Sequence, residues 1–139
     1  SFDSSYFNSV KDTVCPNRIL AKEYDAASQI MGGDWRMPTQ TECQELLDNT
    51  TKEWTQVNGV NGYKFTSNKE GYQNNSIFIP AAGYCYDGSV DNVGNYGRVW
   101  SSSLYTNTYN AWFLSFSSEN GAMSKRNRCY GQPVRGVRK

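Results

Sequence analysis

Cys15, Cys43, Cys85 and Cys129 are the side chains of this sequence best suited to covalent or soft-metal chemistry, and their spacing argues against both uses. No two of them stand in a Cys-x-x-Cys arrangement, which weakens a zinc-site or dithiol-oxidoreductase reading. The sequence contains no histidine, so Ser-His-Asp and Cys-His catalysis and imidazole ligation of a metal are excluded outright. Four cysteines allow three disulfide pairings, among which the sequence does not choose; we read them as free, partly buried thiols.

A second set of residues points to recognition instead of catalysis. Ten Tyr, six Phe and four Trp occur among many Ser and Asn residues. Tyr offers contact area at low rotamer cost, and Ser and Asn offer adaptable hydrogen bonds, the mixture that protein-binding surfaces use. A β-rich core would also favour aromatics, so position has to decide between the two. The tail concentrates the mixture. Tyr105, Asn107, Tyr109 and Asn110 lie in one loop; Ala111–Phe116 alternates, with Trp112, Leu114 and Phe116 expected inside and Phe113 and Ser115 outside; Arg126, Asn127 and Tyr130 follow on the returning segment. An outward Phe calls for a neighbour or a partner to cover it. Together with Arg98 at the border, these ten residues form the expected contact surface, with aromatics and arginine as anchors. The alternative is a solvated hairpin carrying ordinary surface tyrosines.

The elements that must hold this surface read as α+β. Residues 1–18 are polar and lack periodicity. Leu20 to Met31 repeats apolar residues at helical spacing (Leu20, Tyr24, Ala27, Ile30, Met31) and stops at Gly32-Gly33. Thr39 and Glu42 form a capping box after Pro38, opening a second helix with Cys43, Leu46 and Leu47 on its apolar face and fraying near Asp48-Asn49. Beyond residue 50 the pattern changes to short strands. Asn58-Gly59 and Asn61-Gly62 read as turns, Tyr63–Thr66 and Ile77–Ile79 as strands, Gly83 to Gly97 as an ordered loop too long for a simple hairpin, and Asn120-Gly121 as a hairpin turn. Gly131 to Val137 reads as a closing strand. Trp54 and Trp100 belong in the core, and Arg36 is placed to pair with Glu42 or to cap backbone carbonyls.

Charge excludes some partners. Lys plus Arg is 14 and Asp plus Glu 13, a net +1, which creates no field to gather nucleic acid or an anionic membrane. The Lys125-Arg126 cluster is too short to argue nucleic-acid binding. No apolar run approaches the about 20 residues of a membrane helix, so direct membrane insertion is not expected. A chain opening on Ser1 is expected to be a processed fragment without its targeting or anchoring segment.

Gly33-Asp34-Trp35-Arg36-Met37-Pro38-Thr39 with Glu42 resembles the G-x-W-R-[LM]-P-T-x-x-E motif of the Fibrobacter succinogenes major paralogous domain family and its relatives in gut Bacteroides and their phages. Asn58–Tyr63, Asn75–Tyr84, Trp100–Ser103 and then Arg128, Gly131 and Val134-Arg135 resemble further family motifs in the same order, so the resemblance spans about residues 20–138. It implies one C-type-lectin-fold domain over 1–139, two helices on twisted antiparallel sheets with long ordered loops. Several members are variable proteins of diversity-generating retroelements, and residues 100–138 resemble their variable cassette. The implied function is a non-enzymatic display module, a phage receptor-binding protein or bacterial adhesin. It would sit on a virion or cell surface and bind an unidentified protein or glycan.

Cys43 stands where relatives commonly carry Trp, and Cys85 where they commonly carry Arg. Calcium-binding lectins of this fold use Glu-Pro-Asn or Gln-Pro-Asp with Trp-Asn-Asp. None occurs here, Gln132-Pro133-Val134 lacking the third ligand, so no cofactor is expected. Formylglycine-generating enzymes share the fold and use a close cysteine pair, for which Cys85 and Cys129 are the late candidates. The motif around those cysteines is missing. A structural module of a surface fibre is the remaining alternative.

Overall fold

The capping box at Thr39 sets the frame of the molecule. In the computed structural model, which describes residues 4–138, Thr39 Oγ1 accepts from the Glu42 N–H at 3.2 Å and Glu42 Oε2 accepts from the Thr39 N–H at 2.8 Å. This opens a helix that runs Gln40–Asp48. It is the third of three. The first, α1 (Ser4–Val14), lies where the sequence shows no convincing periodicity. Phe7 alone is deeply buried in it, against Cys15 and Leu104, so one anchor fixes an otherwise polar helix. The second, α2 (Ala26–Met31), has half the expected length. Asp25 is the reason. Its carboxylate accepts from the Ser28 N–H at 2.8 Å as an N-cap and from the Met37 N–H at 2.9 Å, restarting the helix after a single 3-10 turn at Lys22–Tyr24. Tyr24, Ile30 and Met31, expected on its apolar face, are exposed. The helix ending Gln40–Asp48 is α3.

Four antiparallel sheets make up the β structure of the described residues. β1 (Trp35–Arg36) pairs with β10 (Val137–Arg138), tying the end of the chain to the corner before α3. β2 (Thr50–Val57), β3 (Val60–Ser67) and β4 (Ser76–Pro80) form a meander. Its first turn is Asn58-Gly59, both at positive φ (51° and 78°). Asn61-Gly62 is not a turn but part of β3. A Cβ at Gly62 would come 2.3 Å from the Ile79 carbonyl oxygen, so the glycine serves close strand approach. β5 (Tyr84–Tyr86) and β6 (Ser89–Asp91) form a hairpin around Asp87-Gly88 inside the stretch expected to be a loop. β7 (Gly97–Leu104), β8 (Asn110–Phe116) and β9 (Gly121–Asn127) form the second meander. The closing segment is a strand only at β10, not from Gly131.

The core lies between α3 and the two meanders: Cys43, Leu47, Tyr63, Phe65, Ile79, Val99, Leu114 and Phe116. Tyr63 stacks on Phe116 at 4.9 Å between centroids. Trp54 is half-buried against this cluster. The register shifts between Trp100 and Leu104, and the three serines of that irregularity tie β7 to its neighbours. Ser101 Oγ donates to the Trp112 carbonyl at 2.8 Å, Ser102 N–H to the Pro38 carbonyl at 2.8 Å, and Ser103 Oγ accepts from the Gln40 N–H at 2.9 Å. These bonds fix the second meander rigidly on α3.

Candidate ligand-binding face

Alternation along β7, β8 and β9 gives this meander two faces. Val99, Leu114 and Phe116 enter the core. The partners Arg98↔Ser115↔Ala122 and Trp100↔Phe113↔Ser124, with Arg126 opposite Ala111, share the other face. Alternation alone predicts that this face meets solvent, with Phe113 exposed. Instead Phe113 is 3% exposed, edge-on to Trp100 at 5.8 Å. Trp112, expected inside, is only half-buried.

A second layer supplies the cover. The β5–β6 hairpin is held by reciprocal hydrogen bonds between Cys85 and Gly131 (2.7 and 2.9 Å), and the Trp100 N–H donates to the Pro133 carbonyl at 3.0 Å. The Tyr84 ring lies 3.8 Å from the Arg98 guanidinium, with Phe113 at 5.6 Å and Tyr96 at 5.9 Å. Tyr130 stacks on Tyr86 at 4.4 Å and lies 5.9 Å from Tyr84. The Arg126 guanidinium sits 4.4 Å from the Tyr130 ring and donates to its hydroxyl at 3.1 Å.

Two arginines thus share an aromatic enclosure, and no carboxylate answers them. Among the described residues the ion pairs are Lys11–Asp12 and Arg36–Glu42. The Nε and Nη1 of Arg98, the Nε of Arg126, and both amide atoms of Gln132 are buried with no hydrogen-bond partner. Burial lowers the pKa of Arg98, and the neighbouring charge of Arg126 lowers it further. A buried donor left unmade costs about 1–3 kcal/mol, more when charged. Stacking on Tyr84 returns part of that cost but satisfies no N–H.

The ten expected contact residues therefore do not form one patch. Arg98, Phe113, Ser115 and Arg126 share the hairpin-covered face, and Tyr130 belongs to its cover. On the opposite face Tyr105 packs edge-on to Trp112 at 4.9 Å beneath Lys125. Hydrogen bonds from Lys125 and Thr106 lower the pKa of the Tyr105 hydroxyl. Asn110 and Asn127 are strand partners on that side. Asn107 Oδ1 accepts from the Asn110 N–H and Asn127 Oδ1 from the Cys129 N–H, each at 3.1 Å, so both close turns. Tyr109 projects from the connecting loop, half exposed. Tyr84, Tyr86, Tyr96 and Trp100 belong to the arginine face and are not among the ten. The signal for the first two was Asp87-Gly88 flanked by Tyr-Cys-Tyr and Ser-Val-Asp, a hairpin pattern.

The four cysteines are free. Cys15 and Cys43 are buried, Cys85 half-buried and Cys129 exposed. Burial raises the Cys43 thiol to about 12 and raises Cys15 as well, leaving both as inert packing groups. Among the described residues no three His, Cys, Asp or Glu side chains are grouped to hold a metal ion, and no helix is long and apolar enough to cross a membrane.

Comparison with known proteins adds a family but no activity. No curated protein and no solved structure matches the chain at a significant level. Residues 42–137 match a family described as Domain of unknown function (DUF8237). The matched span runs from the capping glutamate of α3 to the first residue of the last strand and takes in every element of the arginine face, so the chain belongs to that family.

Proposed function

We propose that this chain is a binding module of the C-type-lectin type, displayed on a virion or bacterial cell surface, and that it holds a protein or glycan on the outer face of its β7–β8–β9 meander. One observation carries the reading: buried arginine donors stand without partners inside a tyrosine enclosure, and a folded chain keeps such groups unsatisfied chiefly where something else completes them. The α+β layout, with β10 paired to β1 at the Trp-Arg-Met-Pro-Thr corner that carries the resemblance, is what supports the lectin-type reading. The resemblance of residues 100–138 to a variable cassette supports a display role for a retroelement variable protein. In this reading Arg98, Arg126 and Tyr130 with Tyr84, Tyr86 and Tyr96 form the primary site. Tyr105, Tyr109 and the asparagines become a second, peripheral surface.

A screen of the purified protein against glycans and bacterial surface proteins tests this. Binding that is lost in Tyr86→Ala/Tyr130→Ala and kept in Tyr105→Ala/Tyr109→Ala is the expected outcome. Binding lost only in the second pair moves the site to the other face. A reverse-transcriptase gene beside a near-copy of the DNA for residues 100–138, differing at adenines, is the expected genomic setting.

A further inference from the structure

We infer that the arginine face is a carboxylate site, and that its ligand is an acidic sugar of the uronic or sialic type, held by Arg98 and Arg126 with Gln132 reading a neighbouring hydroxyl. The inference rests on the binding-module reading and names the chemistry of its ligand. The open atoms define that chemistry. Arg98 offers Nε and Nη1, and Arg126 offers Nε, three donors with no acceptor among the described residues. A guanidinium presents its N–H groups in its plane, in the fork that fits two carboxylate oxygens. The Tyr84 ring 3.8 Å from the Arg98 guanidinium and the Tyr130 ring 4.4 Å from that of Arg126 contribute π-faces to the two cations, and Arg126 Nη2 donates to the Tyr130 hydroxyl.

Two cations without an anion between them repel, and a single negative group answers both at once. Gln132 sharpens the choice of ligand. It precedes the Pro133 carbonyl that accepts from the Trp100 N–H, so its backbone runs beside β7 next to Trp100. It leaves both an amide donor and a carbonyl acceptor open. An acceptor needs a donor in the ligand, so a bare sulfate or phosphate leaves Gln132 half-satisfied. A carboxylate flanked by hydroxyls satisfies every open atom, and Tyr86 and Tyr96, exposed at the rim, give flat apolar surfaces for a sugar ring. The open donors are shielded in the ligand-free chain. Entry requires the stacked Tyr86–Tyr130 pair to part, a side-chain motion of exposed aromatics.

The test titrates the full chain with glucuronic acid and N-acetylneuraminic acid, and separately with glucose, N-acetylaspartate and sodium sulfate, following the arginine Nε–H resonances by NMR. The expected result is saturable binding of the acidic sugars that shifts the Arg98 and Arg126 resonances, with no shift from glucose and at least tenfold weaker response to sulfate. Arg98→Lys and Arg126→Lys, each checked for an unchanged melting temperature, should weaken sugar binding at least tenfold. Equal response to sulfate, or response to N-acetylaspartate alone, overturns the acidic-sugar assignment. No response to any anion overturns the carboxylate site. If neutral glycans or proteins still bind in a Tyr86-dependent way, the binding-module reading stands while this inference falls. Because the resonances are read on the unaltered protein, a variant that fails to fold leaves the test intact.

Discussion

Arg36 and the Arg98–Arg126 pair are arginine sites of similar exposure with opposite solutions to the same problem. At the corner before α3, Arg36 makes a two-pronged ion pair with Glu42 at 2.5 and 2.7 Å, and Glu42 also serves the capping box. The Arg36 hydrogen bond, chief among its causes, holds the Glu42 carboxyl at about 2. The groups of the ion pair and of the capping box find their partners within 6 residues of sequence, and the corner works as structure. On the outer face of the second meander, two guanidinium groups are enclosed by rings and have no carboxylate beside them. In the proposed reading the paired arginine serves the fold, and the unpaired ones, enclosed at a cost in stability, serve a partner that arrives from outside.

The comparison is sharpened most strongly from beneath the arginine face. Phe113 is its floor and part of a packed layer, so Phe113→Ala is expected to cost about 3 kcal/mol in urea denaturation, as large-to-small changes at buried aromatics do. A loss under about 1 kcal/mol would mean that the tyrosine layer does not pack there. The Arg36 corner gives the next effect. A carboxylate whose folded pKa lies below its unfolded value contributes stability that is complete above about 4.5 and disappears as pH falls through about 2. Glu42→Gln should therefore lose about 1 kcal/mol at neutral pH, allowing for its partial exposure, and should flatten the acid limb of a stability–pH curve between those limits. An unchanged acid limb would break the contrast by showing the ion pair to be idle. The smallest effect belongs to Tyr109. It is half exposed and stands apart from the arginines, so Tyr109→Ala should shift stability by no more than about 0.5 kcal/mol and leave acidic-sugar titrations unchanged. A clear loss of binding would join the two surfaces into one site.

The corner was legible in the sequence because everything that makes it is local. Thr39, Glu42 and Pro38 form a short pattern with a single structural meaning, and Arg36 lies within reach of the only acid on that pattern. The core strands were legible for a similar reason, since alternation in Ala111–Phe116 and Tyr63–Thr66 names two faces. What alternation does not name is which face is covered. Phe113 was expected in solvent because Gly83–Gly97 read as a loop; once that stretch folds as the β5–β6 hairpin, its tyrosines cover the face and Phe113 is buried. One unrecognised hairpin produced the other error. The first helix escaped for lack of a repeated apolar stripe, since Phe7 is held by Cys15, Leu104 and the Arg128 guanidinium, which lie outside the helix. The shortened second helix was hidden in Asp25, a capping residue whose carboxylate also reaches Met37 twelve positions away. The arginine enclosure draws Tyr84, Arg98, Arg126 and Tyr130 from four segments, and no spacing rule joins them.

The central claim is that Arg98 and Arg126 are kept for a ligand and not for the fold. Equilibrium unfolding of Arg98→Met, with and without a saturating acidic sugar, tests it most directly. Methionine fills the enclosure and contacts the rings without an unpaired charge. The predicted result is a stability within about 1 kcal/mol of the parent, together with loss of the ligand's stabilising shift. A fall of about 3 kcal/mol or more in the absence of ligand would contradict it, because Arg98 would then belong with Arg36 among the arginines that hold the molecule together.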